Sequence, residues 1–374
     1  MNRSHGSMTD TLTALQVENL VVTGYEKILK VTDPSSGLKA FIALHNTTLG
    51  PALGGTRIYP YATEDAALTD VLRLSKGMTY KSALAQVGLG GGKSVIIADP
   101  RSGQKTPHLL EAFGDVVNSL QGGYICAEDV GCSIDDVEII KSKTPYVVGL
   151  KSENSSGDPS IFTAWGTFIG MKASWEFLVG KESLKGIRVL VQGLGAVGEK
   201  LVDWLFWEGA KVIVSDVDTQ KVKRMIKKYQ VEAVDPQSIY DVDCDIFAPC
   251  AMGGVIRSDV ILKLKCHVIA GCANNQLLEV EDDLRLTRSG ILYAPDFVIN
   301  AGGLINVSFE IQKSGYNAKD AREAVAKIPE RLKSIYQIAK EKKIGTQQAA
   351  TILGDELLEK KIGKRLEKPF FYEN

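Results

Sequence analysis

Two lysines and an aspartate stand out by the company they keep. Lys81 closes Gly77-Met78-Thr79-Tyr80-Lys81, Lys93 follows Gly90-Gly91-Gly92, and Asp129 sits within Ala127-Glu128-Asp129-Val130-Gly131. A lysine held near other cations and away from water binds its proton less tightly, so its neutral amine can act as a base near neutral pH. The glycine run strips side chains from the backbone before Lys93, which lets a substrate or cofactor ring approach while the lysine projects into the space. Asp129 follows a short apolar run, and strand ends in α/β domains face the crevice where ligands bind, a place suited to a proton-carrying carboxylate. Plainer readings fit the same spacing: two solvated surface lysines and a turn-forming aspartate. Only four histidines occur, and His45, His108 and His267 have no carboxylate partner in their local sequence, so a histidine base of the 2-hydroxy-acid type has little support.

A second constellation is Gly193-Leu194-Gly195-Ala196-Val197-Gly198, directly after the apolar run Val189-Leu190-Val191-Gln192 and at the start of a helical pattern in which Val197, Leu201, Trp204 and Leu205 share one face. Gly193 permits a tight turn, Gly195 lets the backbone approach a pyrophosphate, and Gly198 allows the helix to pack close to the strand while its N-terminus meets the phosphate charge. The next strand pattern, Lys211 to Ser215, delivers Asp216 at its end. An acid there accepts hydrogen bonds from the adenosine ribose and repels a 2′-phosphate, so NAD is expected rather than NADP, although Lys221 and Lys223 lie nearby.

The elements that must position these residues fall into two halves. In the first, Lys39 to Leu44 reads as a strand, Glu64 to Lys76 as a helix broken or kinked at Gly77, Val95 to Ala98 and Tyr124 to Ala127 as buried strands, and Leu109 to Leu120 as a helix. Between Lys151 and Pro159 the chain turns polar and rich in Ser, Gly and Asn, the composition of a linker or hinge. A helix from about Phe162 to Leu178 leads into a strand at Ile187 to Gln192, and strand and helix patterns then alternate up to Ile291 to Ala294, a rhythm that predicts a parallel sheet with helices on both faces. From about Asp320 the pattern is charged and helical, with no glycine until Gly345. The expected fold class is α/β in two domains. Residues 1–150 with about 345–374 form a substrate and oligomerisation domain, and residues 151–344 a doubly wound Rossmann domain.

Bulk properties narrow the partners. The 374 residues suffice for two cores, and a formal net charge of -1 gives no long-range reason to bind nucleic acid or an anionic membrane. No apolar run is long enough to cross a bilayer and no secretory signal opens the chain, so a cytoplasmic protein with a small-molecule partner is expected. The opening His5-Gly6-Ser7-Met8 reads as a vector remnant before a native Met8. Cys126, Cys132, Cys244, Cys250, Cys266 and Cys272 form no C-x-x-C and have no histidine pair beside them, so they are expected to be reduced, mostly buried thiols and no metal site is expected.

Taken together, Thr47-Thr48-Leu49-Gly50-Pro51-Ala52-Leu53-Gly54-Gly55-Thr56-Arg57, Gly77 to Lys81, Gly90 to Lys93, Ala127 to Gly131, Ala273-Asn274-Asn275-Gln276, Ala294-Pro295-Asp296 and Asn300-Ala301-Gly302-Gly303 resemble the Glu/Leu/Phe/Val dehydrogenase family, most closely its leucine dehydrogenase branch. The resemblance runs from about Tyr25 to the C-terminal region. It implies an enzyme that reversibly deaminates an L-amino acid to a 2-oxo acid, ammonia and NADH, with Lys81 holding the substrate carboxylate, Lys93 activating water and Asp129 passing protons to and from the nitrogen. It further implies that Gly54 and Asn275 help hold the substrate, that Asn274 and Asn300 border the nicotinamide, and that the protein is a homo-oligomer, an octamer or a dimer.

By the same resemblance, Leu53, Met78, Ala127, Leu304 and Val307 meet the substrate side chain. None can pair with a glutamate γ-carboxylate, so an apolar substrate of the leucine, valine and isoleucine class is expected. The leucine branch typically pairs alanine with valine at the positions of Ala127 and Leu304, whereas relatives acting on aromatic substrates pair glycine with leucine. This chain has one of each, which keeps phenylalanine or tryptophan open as the substrate. A catalytically inactive NAD-binding regulator is the third reading, and the presence of Lys81, Lys93 and Asp129 together argues against it.

Overall fold

The computed structural model describes residues 15–150 and 155–372; the opening His5-Gly6-Ser7-Met8 and residues 151–154 of the polar linker lie outside the described residues. The described chain divides into two compact units, residues 15–79, 89–150 and 371–372 in one, and residues 80–88 and 155–370 in the other.

The first unit is built on a six-stranded mixed sheet. Strands β1 (Gln16–Leu20), β2 (Lys27–Asp33) and β3 (Leu38–Asn46) form an antiparallel meander. Then follow β4 (Ala52–Tyr59), helix α1 (Glu64–Ala85), β5 (Gly90–Ile97), α2 (Pro107–Ser119), β6 (Tyr124–Ala127) and α3 (Ile134–Lys141). The order is β1-β2-β3-β5-β4-β6, with β5 antiparallel to β3 and β4 parallel to both its neighbours. Because side chains alternate along a strand, the sheet separates two cores. Ala52 and Ile58 of β4, Ile96 of β5 and Tyr124 and Cys126 of β6 pack under α2 and α3 with Leu109, Phe113, Val117 and Val137. On the other face Phe41 and Val95 pack with Ala67 and Val71 of α1. The same alternation assigns Leu53, Gly55 and Arg57 of β4, Lys93 of β5 and Ala127 of β6 to the α1 face.

The second unit continues with α4 (Ser160–Val179), β7 (Arg188–Gln192), α5 (Ala196–Glu208), β8 (Lys211–Ser215), α6 (Thr219–Tyr229), β9 (Glu232–Ala233), β10 (Ile246–Pro249), α7 (Ser258–Ile261), β11 (Val268–Ile269), α8 (Asp282–Arg288), β12 (Leu292–Tyr293), α9 (Asp296–Ile299), α10 (Gly302–Ser308), α11 (Ala318–Val325), α12 (Ile328–Lys342) and α13 (Thr346–Glu359). All six strands are parallel in the order β12-β11-β10-β7-β8-β9. That is the doubly wound arrangement expected from the strand and helix rhythm, with the reversal between β7 and β10, where such sheets bind dinucleotides. Val189 and Val191 of β7 point to a core with Leu201, Leu205, Leu332 and Tyr336, while Leu190, Phe247 and Ile269 point to the opposite one with Ile261 and Leu286. Among the described residues, no helix is long and apolar enough to cross a membrane.

Three expectations need correction. Helix α1 does not break at Gly77 but runs to Ala85. A glycine inside a helix costs about 1 kcal/mol relative to alanine, and burial of Thr79, Ser82, Ala83 and Leu84 beyond it offsets that. The glycines before Lys93, expected to let a ring approach the backbone, have their side-chain space filled by the protein itself: Gly90 to Gly92 are buried residues of β5, and a β-carbon on Gly91 would lie 2.1 Å from the Thr79 backbone nitrogen. Close packing requires them: Gly90 and Gly91 meet backbone of residues 46–50 and of Thr79, and Gly92 meets the Tyr124 ring and the Ala52 β-carbon. Finally, α13 packs against α12, α8 and β12 in the second unit, burying Ala349, Ala350 and Leu357, whereas residues 345–374 were expected to return to the first; of the described tail only Phe371 and Tyr372 do so.

Candidate active site

In the first unit the sheet brings Lys93 and Asp129 into contact. Lys93 Nζ lies 2.9 Å from Asp129 Oδ1, and the lysine side chain is only 6% exposed. Asp129 is held there by a tight turn: its backbone exchanges hydrogen bonds with Cys132 at 3.3 and 2.9 Å, and Gly131 takes a φ of +79°, where a side chain would be strained. A β-carbon on Gly131 would also lie 2.0 Å from the Ile58 carbonyl oxygen. Gly55 has a matching reason, since a β-carbon there would sit 2.9 Å from the Asp129 β-carbon.

Burial drives the Lys93 pKa below the usual lysine value, against the pull of Asp129, and the Arg57 charge acts in the same direction as burial. Burial by itself would raise Asp129, but the Lys93 and Arg57 cations outweigh it and hold the carboxyl below the usual carboxylate range. The pair can therefore offer a lysine that gives up its proton more readily than in water beside an ionised carboxylate.

Sequence reasoning gave no role to the residues behind this pair. Arg57 donates through Nε to Asp129 Oδ2 at 2.9 Å and through Nη1 to Asp70 Oδ2 at 2.9 Å, and Asp70 also accepts from the Tyr61 hydroxyl at 2.6 Å. The available signal was a charged residue in the middle of a strand whose neighbours, Thr56 and Ile58, are both buried. Of the residues expected to meet the substrate, Leu53 is buried on β4, while Ala127 at the end of β6 and Met78 on α1 are half-buried. Gly54 has a packing reason to be glycine, because a β-carbon there would strike the Gly92 carbonyl oxygen.

In the second unit Lys81 Nζ donates to Asn300 Oδ1 at 2.7 Å, and the Asn300 amide donates to Asn274 Oδ1 at 2.8 Å and to the Cys272 carbonyl at 3.1 Å. Asn300 is buried, so its side chain fixes the lysine head. Asn275 takes a left-handed φ of +52°, and its backbone N–H donates to the buried Asp296 carboxylate, whose pKa burial raises against that bond and the Lys81 charge. Leu304 is buried and Val307 half-buried on α10.

The glycine-rich turn between β7 and α5 can hold a dinucleotide phosphate. Gly193 has a φ of +100°, and a β-carbon on it would lie 2.7 Å from that of Ala251. A β-carbon on Gly198 would lie 2.0 Å from the Gly193 carbonyl oxygen, so helix and turn approach closely. Gly195 meets nothing within 4 Å, and no side chain caps the N-terminus of α5. Backbone N–H groups from Ala196 to Gly198 thus lack a side-chain acceptor beside an open approach, the arrangement that receives an anion. Asp216, just beyond β8, accepts from the Leu194 backbone N–H at 2.6 Å and the Asp218 N–H at 2.7 Å, which ties the turn to the second strand. Among the described residues no cluster of metal-ligating side chains occurs, and all six cysteines are free, five of them buried.

Comparison with known proteins identifies the family. Residues 25–146 match the Glu/Leu/Phe/Val dehydrogenase dimerisation domain, and residues 216–363 match the Glutamate/Leucine/Phenylalanine/Valine dehydrogenase domain. The chain is 48% identical to leucine dehydrogenase of Geobacillus stearothermophilus over 90% of its own length and 91% of that protein. It is 45% identical to phenylalanine dehydrogenase of Caldalkalibacillus thermarum, covering 91% and 93% of the two chains. Its fold superposes on the crystal structure of L-tryptophan dehydrogenase from Nostoc punctiforme with a TM-score of 0.80 at 43% identity, over 90% of this chain and 97% of that one.

Proposed function

This chain belongs to the Glu/Leu/Phe/Val dehydrogenase family and is an amino-acid dehydrogenase, and from that premise we propose that it reversibly deaminates an aliphatic L-amino acid of the leucine, valine and isoleucine class, with NAD as cofactor. The observation that carries the reading is the buried Lys93 ammonium paired with Asp129. NAD, when bound at Gly193 to Gly198, supplies the hydride acceptor. Lys81, its head fixed by Asn300, binds the substrate carboxylate by charge-assisted hydrogen bonds. Lys93, in its neutral form, takes a proton from the water that adds to the substrate imine. Asp129 then carries protons to and from the substrate nitrogen as ammonia departs, while Asn275 steadies the substrate and Asn274 borders the cofactor.

Asp216 favours NAD because a carboxylate there would repel a 2′-phosphate. Leu53, Met78, Ala127, Leu304 and Val307, the residues that the family resemblance assigns to the substrate side chain, carry no charge and would give a glutamate carboxylate no partner. A phenylalanine or tryptophan substrate is the second reading, favoured by Leu304 and by relatives with those names at similar identity. One methylene in an apolar pocket discriminates by only about 1 to 3 kcal/mol, so rates decide. The test is a panel of leucine, valine, isoleucine, phenylalanine, tryptophan and glutamate with NAD or NADP, followed by NADH or NADPH absorbance. Highest kcat/KM with an aliphatic substrate and NAD supports the proposal; preference for an aromatic substrate selects the second reading, and preference for glutamate overturns both. A homo-oligomer joined through the first unit in a reducing, cytoplasmic setting completes the proposal, in keeping with six free cysteines.

A further inference from the structure

The pair Lys93 and Asp129 does not stand alone. Asp129 uses one oxygen for Lys93 and the other for Arg57, and Arg57 spans to Asp70, which Tyr61 and Arg73 also contact, Arg73 at 3.2 Å. Only a guanidinium offers a rigid fork that can serve two carboxylates at once in a fixed plane. Arg57 is 21% exposed and Asp70 15%, so solvent screens them only partly. The glycine at position 55 lets Asp129 come within reach of Arg57 on the same face of β4.

We propose that Arg57, backed by Asp70, is a positioning residue for the Lys93 and Asp129 pair, holding one oxygen of Asp129 so that the other meets the lysine amine. This inference rests on the roles proposed above for those two residues. The fixed positive charge of Arg57 makes both members of the pair give up protons more readily, whereas the negative charge of Asp70 opposes this at Lys93. Among the described residues the charged and titratable groups acting within the network are Lys93 and Arg57 on Asp129, Asp129 and Asp70 on Arg57, and Arg57, Arg73 and Tyr61 on Asp70. Tyr124, Cys126 and Cys132 lie close by, and burial keeps them neutral across the working range.

Opposite substitutions should therefore move the pH profile in opposite directions, a result that a merely structural ion-pair network does not give. The experiment measures kcat and KM for the best amino-acid substrate with NAD across pH in full-length wild type, R57Q, R57K and D70N, with thermal melting of each and K93A as control. R57Q should lower kcat/KM on the order of 100-fold through misplacement of Asp129, leave the KM for NAD unchanged and move the profile to higher pH by about one unit. D70N should move it to lower pH. R57K, which keeps the charge but not the fork, should restore the position of the profile more than the rate. Profiles of R57Q and D70N that coincide with wild type, whatever their melting temperatures, overturn the inference; if R57Q does not fold, an unmoved D70N profile does so. Normal turnover in K93A instead overturns the role of the pair and the inference with it.

Discussion

At the scale of single residues, the proposed chemistry turns on how strongly the fold perturbs a few charged groups. Lys93 is the clearest case, because burial opposes its charge while Asp129, 2.9 Å away, supports it. Burial prevails, so the neutral amine accumulates at a lower pH than for a lysine in water, and activity should rise with pH through a limb placed below the usual lysine value. Lys93→Ala should cut kcat by at least about 100-fold, the scale of a lost general base, while fluorescence titration shows NADH binding retained. Lys81 calls for a different outcome. Its ammonium is fixed by Asn300 and faces no proton-transfer task, so Lys81→Ala should raise the KM for the amino acid on the order of 10-fold or more, as expected for a lost charge-assisted bond, and initial rates across substrate concentration would show an unchanged KM if that assignment is mistaken.

At the scale of elements, the site depends on short segments whose geometry is fixed by contacts from elsewhere. The turn after β6 presents Asp129 because Gly131 accepts a left-handed backbone against Ile58, and the β7 to α5 turn stays open at Gly195 while closing at Gly193 and Gly198. Helix α13 offers a structural parallel. Its N-terminal N–H groups, Gln347 and Gln348, donate to the Asp283 carboxylate of α8 at 3.1 and 2.9 Å. Gly345 is needed there, because a β-carbon would collide with that carboxylate. Asp283→Ala should therefore destabilise by about 1 kcal/mol, the usual value of a lost helix cap, or a melting shift of about 2 to 4 °C. Burial raises the Asp283 pKa against these bonds, which keeps the expected loss at that modest level. Scanning calorimetry that finds no shift would show that water replaces the cap.

At the scale of the whole molecule, acid sensitivity follows from the balance of perturbed carboxyls. Asp70, Asp129 and Asp136 are each raised by burial but lowered further by their partners, so all three ionise more readily folded than unfolded. Such groups contribute stability that is complete above the unfolded value of about 4 and is lost as pH falls through the lower folded value. Asp283 and Asp296 have the opposite sign: burial raises them, so their protonation on acidification relieves a cost instead of adding one. The denaturant midpoint should accordingly hold nearly constant from about pH 7 to about pH 5 and fall below about pH 4. A steep loss already near pH 6 would contradict these signs.

Much of this protein could be read from local pattern. The glycine fingerprint with Asp216, the alternation of strands and helices in the second half, and Lys81, Lys93 and Asp129 as points of interest all rest on spacing and backbone conformation, which neighbouring residues encode. Distant contacts decided the rest. Helix α1 passes Gly77 because of what its later turns bury, and the glycines before Lys93 are a packing requirement set by Asn46 and Gly50 at Gly90, Thr79 at Gly91 and Tyr124 at Gly92. Helix α13 joins the second unit through α8 and α12, and Arg57 meets Asp129 across 72 residues of sequence. Periodicity carries the hydrogen bonds and faces of an element, but which charges share a buried environment is set only when strands far apart in the chain lie side by side. In this protein that pairing, not the lysine or aspartate taken singly, creates the perturbed proton affinities on which the proposed chemistry depends.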